Sequence, residues 1–457
     1  MGVIGARTAG LTAYSDGRSE PYDTRLHEPT VVATRLEPST MPDAWTGLSQ
    51  YDVLAWTQGE PVTLGAGRAD TLRGWVRQGG HLVVLLPQVG ETWFSGELNN
   101  PLFDLMPAVT TTRETDYPTR PIRPLLTTRA DVVLPTTMVA HTFEIDDEAP
   151  AAAETSVVLR DPAGRALVVR RQVGLGQVTV VGLDVGAEAL ARVGAPSAEA
   201  FWHRVLGRRG DLRPWNLRGR QVTEPNRSVR HFDHSVDAAI AQTGSPASGV
   251  LLGFVVFIAY WLVAGPVGFA VLRKTGRARH AWVVFVGVTA VFTGLAWGGA
   301  VLLSPASVRG AHLTIIDHVY GQPVQRTRTW AGLIVPSYGL ATLEVGDESA
   351  GSIVATVSPW MSPESGATIG SFPDNRGYRV LGARPSSMTF PVRSTMKELS
   401  VQWAGPTVWP MPTPVRGADG PGTLRATPRP VGIPASDMTS EAAGRLVHDL
   451  PGPLYDV

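Results

Sequence analysis

Two long uncharged apolar runs joined by a short basic turn restrict this chain more than any other feature. From Gly249 to Leu272, and again from Ala281 to Leu303, no Asp, Glu, Lys or Arg occurs. Wound as helices at about 1.5 Å per residue, such runs reach across the ~30 Å hydrocarbon core of a bilayer. Buried helices of soluble proteins seldom stay uncharged for so long, so two in succession predict a transmembrane hairpin over 249–303. Gly265 and Pro266 fall inside the first run, where a membrane helix tolerates a kink. Trp282 stands beside the turn, a position suited to an amphipathic ring at the membrane interface.

The turn, RKTGRARH, carries Arg273, Lys274, Arg277 and Arg279. No Lys or Arg occurs from His231 to Ser248, and after the second run only Arg309 precedes Arg326. Positive charge concentrates in cytoplasmic loops. The four cations are therefore the topology-determining residues. They place the 273–280 turn in the cytoplasm and both flanking regions outside. An anionic partner for the turn is the other reading of the same charges. An outward N-terminal region needs an export signal, and MGVIGARTAGLTAYSDGRSE has neither a basic start nor an apolar core of adequate length. The chain is thus expected to continue upstream of Met1, with Met1 to Ile4 as the tail of a first strand. LYDV at the other end likewise reads as a strand that runs on.

Charge balance narrows the classes of partner. Lys plus Arg (40) equals Asp plus Glu (40), which argues against a nucleic-acid binder. There is no cysteine, so disulfides, thiolate metal sites and a cysteine nucleophile are all excluded.

Ahead of the hairpin, short strands alternate with helices. TVVATRL and YDVLAW read as strands, and GRADTLRGWVRQGG as a helix stopped by Gly79-Gly80. HLVVLLP is a near-continuous apolar strand of the kind found in parallel sheets covered on both faces. Together these make a βαβ unit. TSVVLRDPAGRALVVRRQVGLGQVTVVGLDV reads as three strands with turns at Asp161 to Gly164 and Gly174 to Gly176, and SAEAFWHRVLGR closes the region as a helix.

The segments YDVLAW, LRGWVRQGGHLVVLLP, GLGQVTVVGLD and FWHRVL resemble the class I glutamine amidotransferase-like α/β domain of bacterial membrane-anchored proteins of unknown function. YWLVAGPVGFAVLRKTGRARHAWV resembles the hairpin that follows such domains. The resemblance implies a flavodoxin-like α/β fold. Enzymes of that superfamily use a Cys nucleophile with a His partner, so the missing Cys removes the catalytic residue, and the domain is expected to bind or scaffold.

Several local constellations invite chemistry, and each has a plainer reading. His231, Asp233 and His234 carry metal-ligating atoms, but three ligands within four residues cannot close on one ion in regular structure. Glu144, Asp146, Asp147 and Glu148 lack the glycine and spacing of a calcium loop and read as a solvated acidic loop. GLGQV lacks the third glycine and following helix of a phosphate loop and reads as a hairpin turn. GAGRAD opens a helix, which makes Gly65, Gly67 and Arg68 weak anion-site candidates. Ser95 has no nucleophile elbow around it. Trp45 and Trp93 are candidates either for sugar stacking or for packing at the domain rim. Asp317 and His318 alternate onto opposite faces of a strand, against a catalytic dyad. No catalytic, cofactor-binding or metal residue, and no cofactor, is therefore assigned.

After Leu303 the runs AHLTIIDHV, RTRTWAGLIVPS, LATLEV, SIVATVS, YRVLG, MTFPVRS and LSVQWAG are short and partly alternating, which predicts an all-β sandwich-like domain. Helical periodicity returns only at Thr439 to Leu446. The expected organisation is an α/β domain at 1–230, a juxtamembrane linker at 231–248, the hairpin at 249–303 and the β-rich domain at 304–457. Its partners are expected to be the lipid bilayer and a protein in the membrane or envelope, with no nucleic acid. The expected function is non-catalytic presentation of two extracytoplasmic modules for ligand binding or complex assembly. The alternatives are an extracytoplasmic hydrolase or transferase with a non-Cys nucleophile, or an accessory subunit of a transport complex.

Overall fold

The structure, a computed structural model, describes residues 1–14, 31–96, 100–207, 236, 240, 245–303, 308–335, 338–346, 354–360, 379–382, 384–393, 396–408, 411–414, 425–426, 442–443 and 446–447. The α/β region is built on one mixed sheet. Its strands are β1 (Gly2–Ile4), β2 (Ala33–Leu36), β3 (Val53–Trp56), β4 (His81–Leu85), β5 (Val109–Pro118), β6 (Thr137–Ile145), β7 (Thr155–Arg160), β8 (Ala166–Val173) and β9 (Gly176–Val181). The order is β2-β1-β3-β4-β9-β8-β6-β5, with β7 paired to β8. Strands β2, β1, β3, β4 and β9 run parallel, and the remainder are antiparallel.

Continuous apolar runs produce the parallel half because both of its faces are covered. Every residue of β3 and β4 is buried. Val83 and Leu85 face one core with Phe201, Trp202 and Val205, while Leu82 and Val84 face a second core with Leu72, Trp75 and Val76. Helix α1 (Ala66–Arg77) supplies the second layer, burying Ala69, Leu72, Trp75 and Val76 at helical spacing. A helical run over Ala198–Trp202 and His203–Leu206 supplies the first layer. The strand read as HLVVLLP stops at Leu85, because Pro87 lies in a single helical turn, Leu86–Val89.

The Gly174–Gly176 turn joins β8 to β9 and touches the end of α1. A Cβ at position 176 would lie 2.0 Å from the Val76 carbonyl oxygen and 2.3 Å from that of Gly80. Glycine is required there by contact between two backbones.

The hairpin comprises α2 (Ser245–Leu262), a wide turn at Val263–Val267, α3 (Gly268–Lys274) and α4 (Ala281–Leu303). Two stretches of 22 residues, Gly253–Lys274 and Ala278–Gly299, are long and apolar enough to cross a membrane, and none of either is buried within the protein. The kink sits at Gly265, whose φ of −99° and ψ of −106° leave the helical region just before Pro266. Tyr260 and Thr289 hydroxyls lie 3.2 Å apart across the hairpin.

The C-terminal region holds β10 (Arg309–His318), β11 (Val324–Ile334), β12 (Tyr338–Glu344), β13 (Val354–Pro359), β14 (Arg379–Leu381), β15 (Arg384–Arg393) and β16 (Lys397–Pro406). They form two antiparallel sheets, ordered β10-β11-β16-β13 and β12-β15-β14. Val357 and Leu399 of the first sheet share a core with Met388 and Phe390 of the second. The segment near Thr439, read from its periodicity as helical, instead contributes Ala442–Ala443 and Leu446–Val447 to two short strand pairs.

The two large regions touch directly. Gln322, in the turn between β10 and β11, accepts a hydrogen bond from the Gly174 backbone N–H at 2.7 Å and donates to Glu154 Oε1 at 3.3 Å. Arg326 Nη1 donates to the Gln78 carbonyl at 3.0 Å, while its Nε and Nη2 hold Asp317 Oδ2. The Gly174–Gly176 turn, read from the sequence as a hairpin turn, is thus the seat of a contact from the β-rich region.

Candidate functional site

In an open α/β sheet, ligands collect outside the carboxyl ends of the parallel strands, where the winding reverses. Here the reversal lies at β1, which has β2 on one side and β3 on the other. Polar side chains from four strand ends converge at this edge. The Gln58 side chain, after β3, accepts from the Ala6 backbone N–H at 3.3 Å. Arg7, after β1, donates to Gln88 Oε1 at 2.5 Å. Gln88, after β4, donates in turn to Asp184 Oδ1, after β9. A line of Arg, Gln and Asp therefore crosses the carboxyl edge.

Burial raises the Asp184 carboxyl above its ordinary value, although the Gln88 hydrogen bond and the Arg7 charge pull the other way. Beside this line, His141 of β6 has a side chain only 2 % exposed, and its Nε2 lies 3.2 Å from Glu91 Oε1. Burial lowers the His141 pKa, against the raising effect of Glu91. The backbone N–H of His141 donates to the Gly182 carbonyl at 2.7 Å, which ties β6 to the end of β9. Its Nδ1 has no hydrogen-bond partner among the described residues.

This arrangement combines one cation, the carboxylates of Asp184 and Glu91, two amides and an imidazole whose pKa burial lowers. It can orient a small polar ligand by charge and hydrogen bonding. The hydrogen bonds of the His141 ring among the described residues run to Glu91 and include no Ser or Thr hydroxyl.

The residues singled out in the sequence lie elsewhere. Gly65 opens α1 at a φ of +71°, but Arg68 donates to the Met41 carbonyl at 2.9 Å and lies 3.4 Å from the Asp43 carboxylate. Asp146 and Asp147 are exposed, and Asp146 accepts the Glu148 N–H at 3.2 Å. No group of three or more His, Asp or Glu suited to a metal occurs among the described residues. Trp93 is fully buried, its ring centroid 5.1 Å from that of Trp56, so it packs the core and offers no face to a sugar. Asp317 pairs with Arg326 and Arg328, and His318 Nδ1 lies 3.2 Å from the Val324 carbonyl. His231, Asp233 and His234 lie outside the described residues. Arg273, Lys274, Arg277 and Arg279 occupy the end of the hairpin farthest along the chain from both large regions.

Residues 27–183 match the family model of DUF4350, a domain of unknown function. The match runs from before β2 through the end of β9. No curated protein matches the chain. An exo-β-1,4-mannosidase from Opitutaceae bacterium strain TAV5 is similar at 18% identity and a TM-score of 0.23, over 35% of this chain and 25% of that one. A cytoplasmic protein from Salmonella typhimurium is similar at 15% identity and a TM-score of 0.28, over 44% and 85%. The β-galactosidase from Bacillus circulans sp. alkalophilus shares 11% identity at a TM-score of 0.23, over 83% and 35%. The chain thus spans a quarter of the length of the mannosidase and about a third of the galactosidase. At these TM-scores the likenesses carry neither fold nor activity to this protein.

Proposed function

We propose that this is a non-catalytic membrane-anchored protein of the cell envelope, whose two extracytoplasmic modules work as one docked unit in ligand binding or complex assembly. The observation that carries the reading is the contact of Gln322 and Arg326 with Gly174, Glu154 and Gln78. Modules joined in this way lie on the same side of the hairpin that separates them in sequence. The four cations of the turn support an outside position for that side, since positive charge favours cytoplasmic loops.

The α/β module is read as glutamine amidotransferase-like, with a flavodoxin-like parallel half. The order β2-β1-β3-β4-β9 supports this, since it follows the doubly wound pattern in which the second strand flanks the first. The chain has no Cys for the chemistry of those enzymes. The site kept in this reading is the carboxyl edge, where Arg7, Gln88 and Asp184 hold a small polar ligand.

The cysteine-free sequence makes the docking testable. A Glu154→Cys/Gln322→Cys pair in the full-length protein should be joined by a short bis-maleimide within one polypeptide, and each single variant should not. Two cysteines that take up monofunctional maleimide but never cross-link would overturn the docked unit.

A further inference from the structure

The kink at Gly265 and Pro266 does more than bend the first arm of the hairpin. It opens an apolar groove of about 470 Å³ between the arms, lined by Gly265, Pro266, Phe269, Leu272, Trp282 and Phe285. A second groove of about 420 Å³ continues along the same pair of helices and shares Val284 and Val288 with the first. Together they make an elongated apolar channel on a surface that no described part of the protein covers.

The mouth of this channel is charged. Leu272 leads directly into Arg273 and Lys274, and Trp282 follows Arg277, Arg279 and His280. All of these basic side chains are exposed, and none forms an ion pair with a described residue. No Asp or Glu occurs between Gly249 and Leu303 to neutralise them. A third helix laid in the channel would satisfy its apolar walls and leave the cations bare. An anionic phospholipid satisfies both, because its acyl chain matches the channel and its phosphate meets guanidinium groups at the headgroup level.

We infer that the hairpin holds one anionic phospholipid, with an acyl chain in the groove at the Gly265–Pro266 kink and the headgroup against Arg277 and Arg279. The inference rests on the membrane-spanning reading above. In that reading the site faces the cytoplasmic leaflet, where basic turn residues and anionic headgroups attract one another. The kink opens the groove, and the basic turn selects the lipid.

The full-length protein, delipidated in mild detergent, is offered phosphatidylglycerol or phosphatidylcholine with identical acyl chains and followed by native mass spectrometry. One phosphatidylglycerol should be retained per chain, with about tenfold preference over phosphatidylcholine. Arg277→Gln/Arg279→Gln should bring the two lipids to equal retention. Ala264→Phe, which fills the groove and leaves every charge in place, should lower retention of both. Equal retention of the two lipids by the unaltered protein overturns the inference, as does a preference that survives the double charge variant. Alkaline carbonate extraction of membranes tests the underlying reading separately. Release of the unaltered protein by carbonate overturns the membrane-spanning hairpin, whereas retention without lipid preference overturns only the lipid site.

Discussion

Asp184 follows β9 and His141 lies on β6, which is tied to the end of β9 by backbone hydrogen bonds, and burial moves both toward their neutral forms. A carboxylate kept partly out of water costs stability at neutral pH, a cost tolerated where a charge serves a site. Asp184→Asn keeps the acceptor for Gln88 and removes the charge. It should raise the stability of the α/β domain at pH 7, read as a higher Tm. The gain should vanish near pH 4, where the unfolded carboxyl also becomes neutral. Thermal melts of the two proteins at both pH values check this, and an Asn variant less stable at pH 7 would count against it. His141 has the opposite sign. Its folded pKa is lowered, so below about pH 6.5 the unfolded chain binds the extra proton and stability falls as the pH drops. Replacing it by Gln should flatten the loss of Tm between pH 7 and pH 5, and an unchanged slope would assign that loss to other groups. None of these residues was legible in the sequence. Arg7, Gln58, Gln88 and Asp184 follow four different strands, carry no periodicity and meet only through sheet topology.

At the scale of elements, apolar pattern decided what could be read. The β3-α1-β4 unit, the three strands from Thr155 to Val181 and seven strands of the β-rich region all stand where runs of Val, Ile and Leu predict them. The antiparallel pair β5 and β6 gave no such signal. Strand β5, VTTTRETDYP, buries only Tyr117 fully, so its sequence looks like a polar loop until β6 pairs with it. The GLGQV turn was legible as a turn but not as a docking point, because its partner Gln322 is 148 residues away. That turn has no room for a side chain at position 176. Gly176→Ala should destabilise the α/β domain by more than about 2 kcal/mol, since the new methyl meets two backbone carbonyls that cannot swing aside as a side chain can. A chemical-denaturation midpoint equal to that of the unaltered protein would show that the two backbones part without cost.

For the molecule as a whole, the hairpin organises everything else. Two long apolar stretches stand in sequence between the α/β region and the β-rich region, and the turn between them carries four cations that form no ion pair with a described residue. In the proposed account the Gln322 and Arg326 contacts hold the two modules together. A common face and an opposite basic turn are the central claim, and the missing cysteines allow it to be measured in living cells. Single exposed cysteines are introduced by Ala163→Cys in the α/β module, Ser358→Cys in the β-rich module and Ala278→Cys in the turn. Each strain is treated with a membrane-impermeant maleimide, intact and after lysis. The account predicts labelling of Ala163→Cys and Ser358→Cys in intact cells, and of Ala278→Cys only after lysis. Labelling of just one of the two modules in intact cells would contradict the common face, and labelling of the turn alone would reverse the topology.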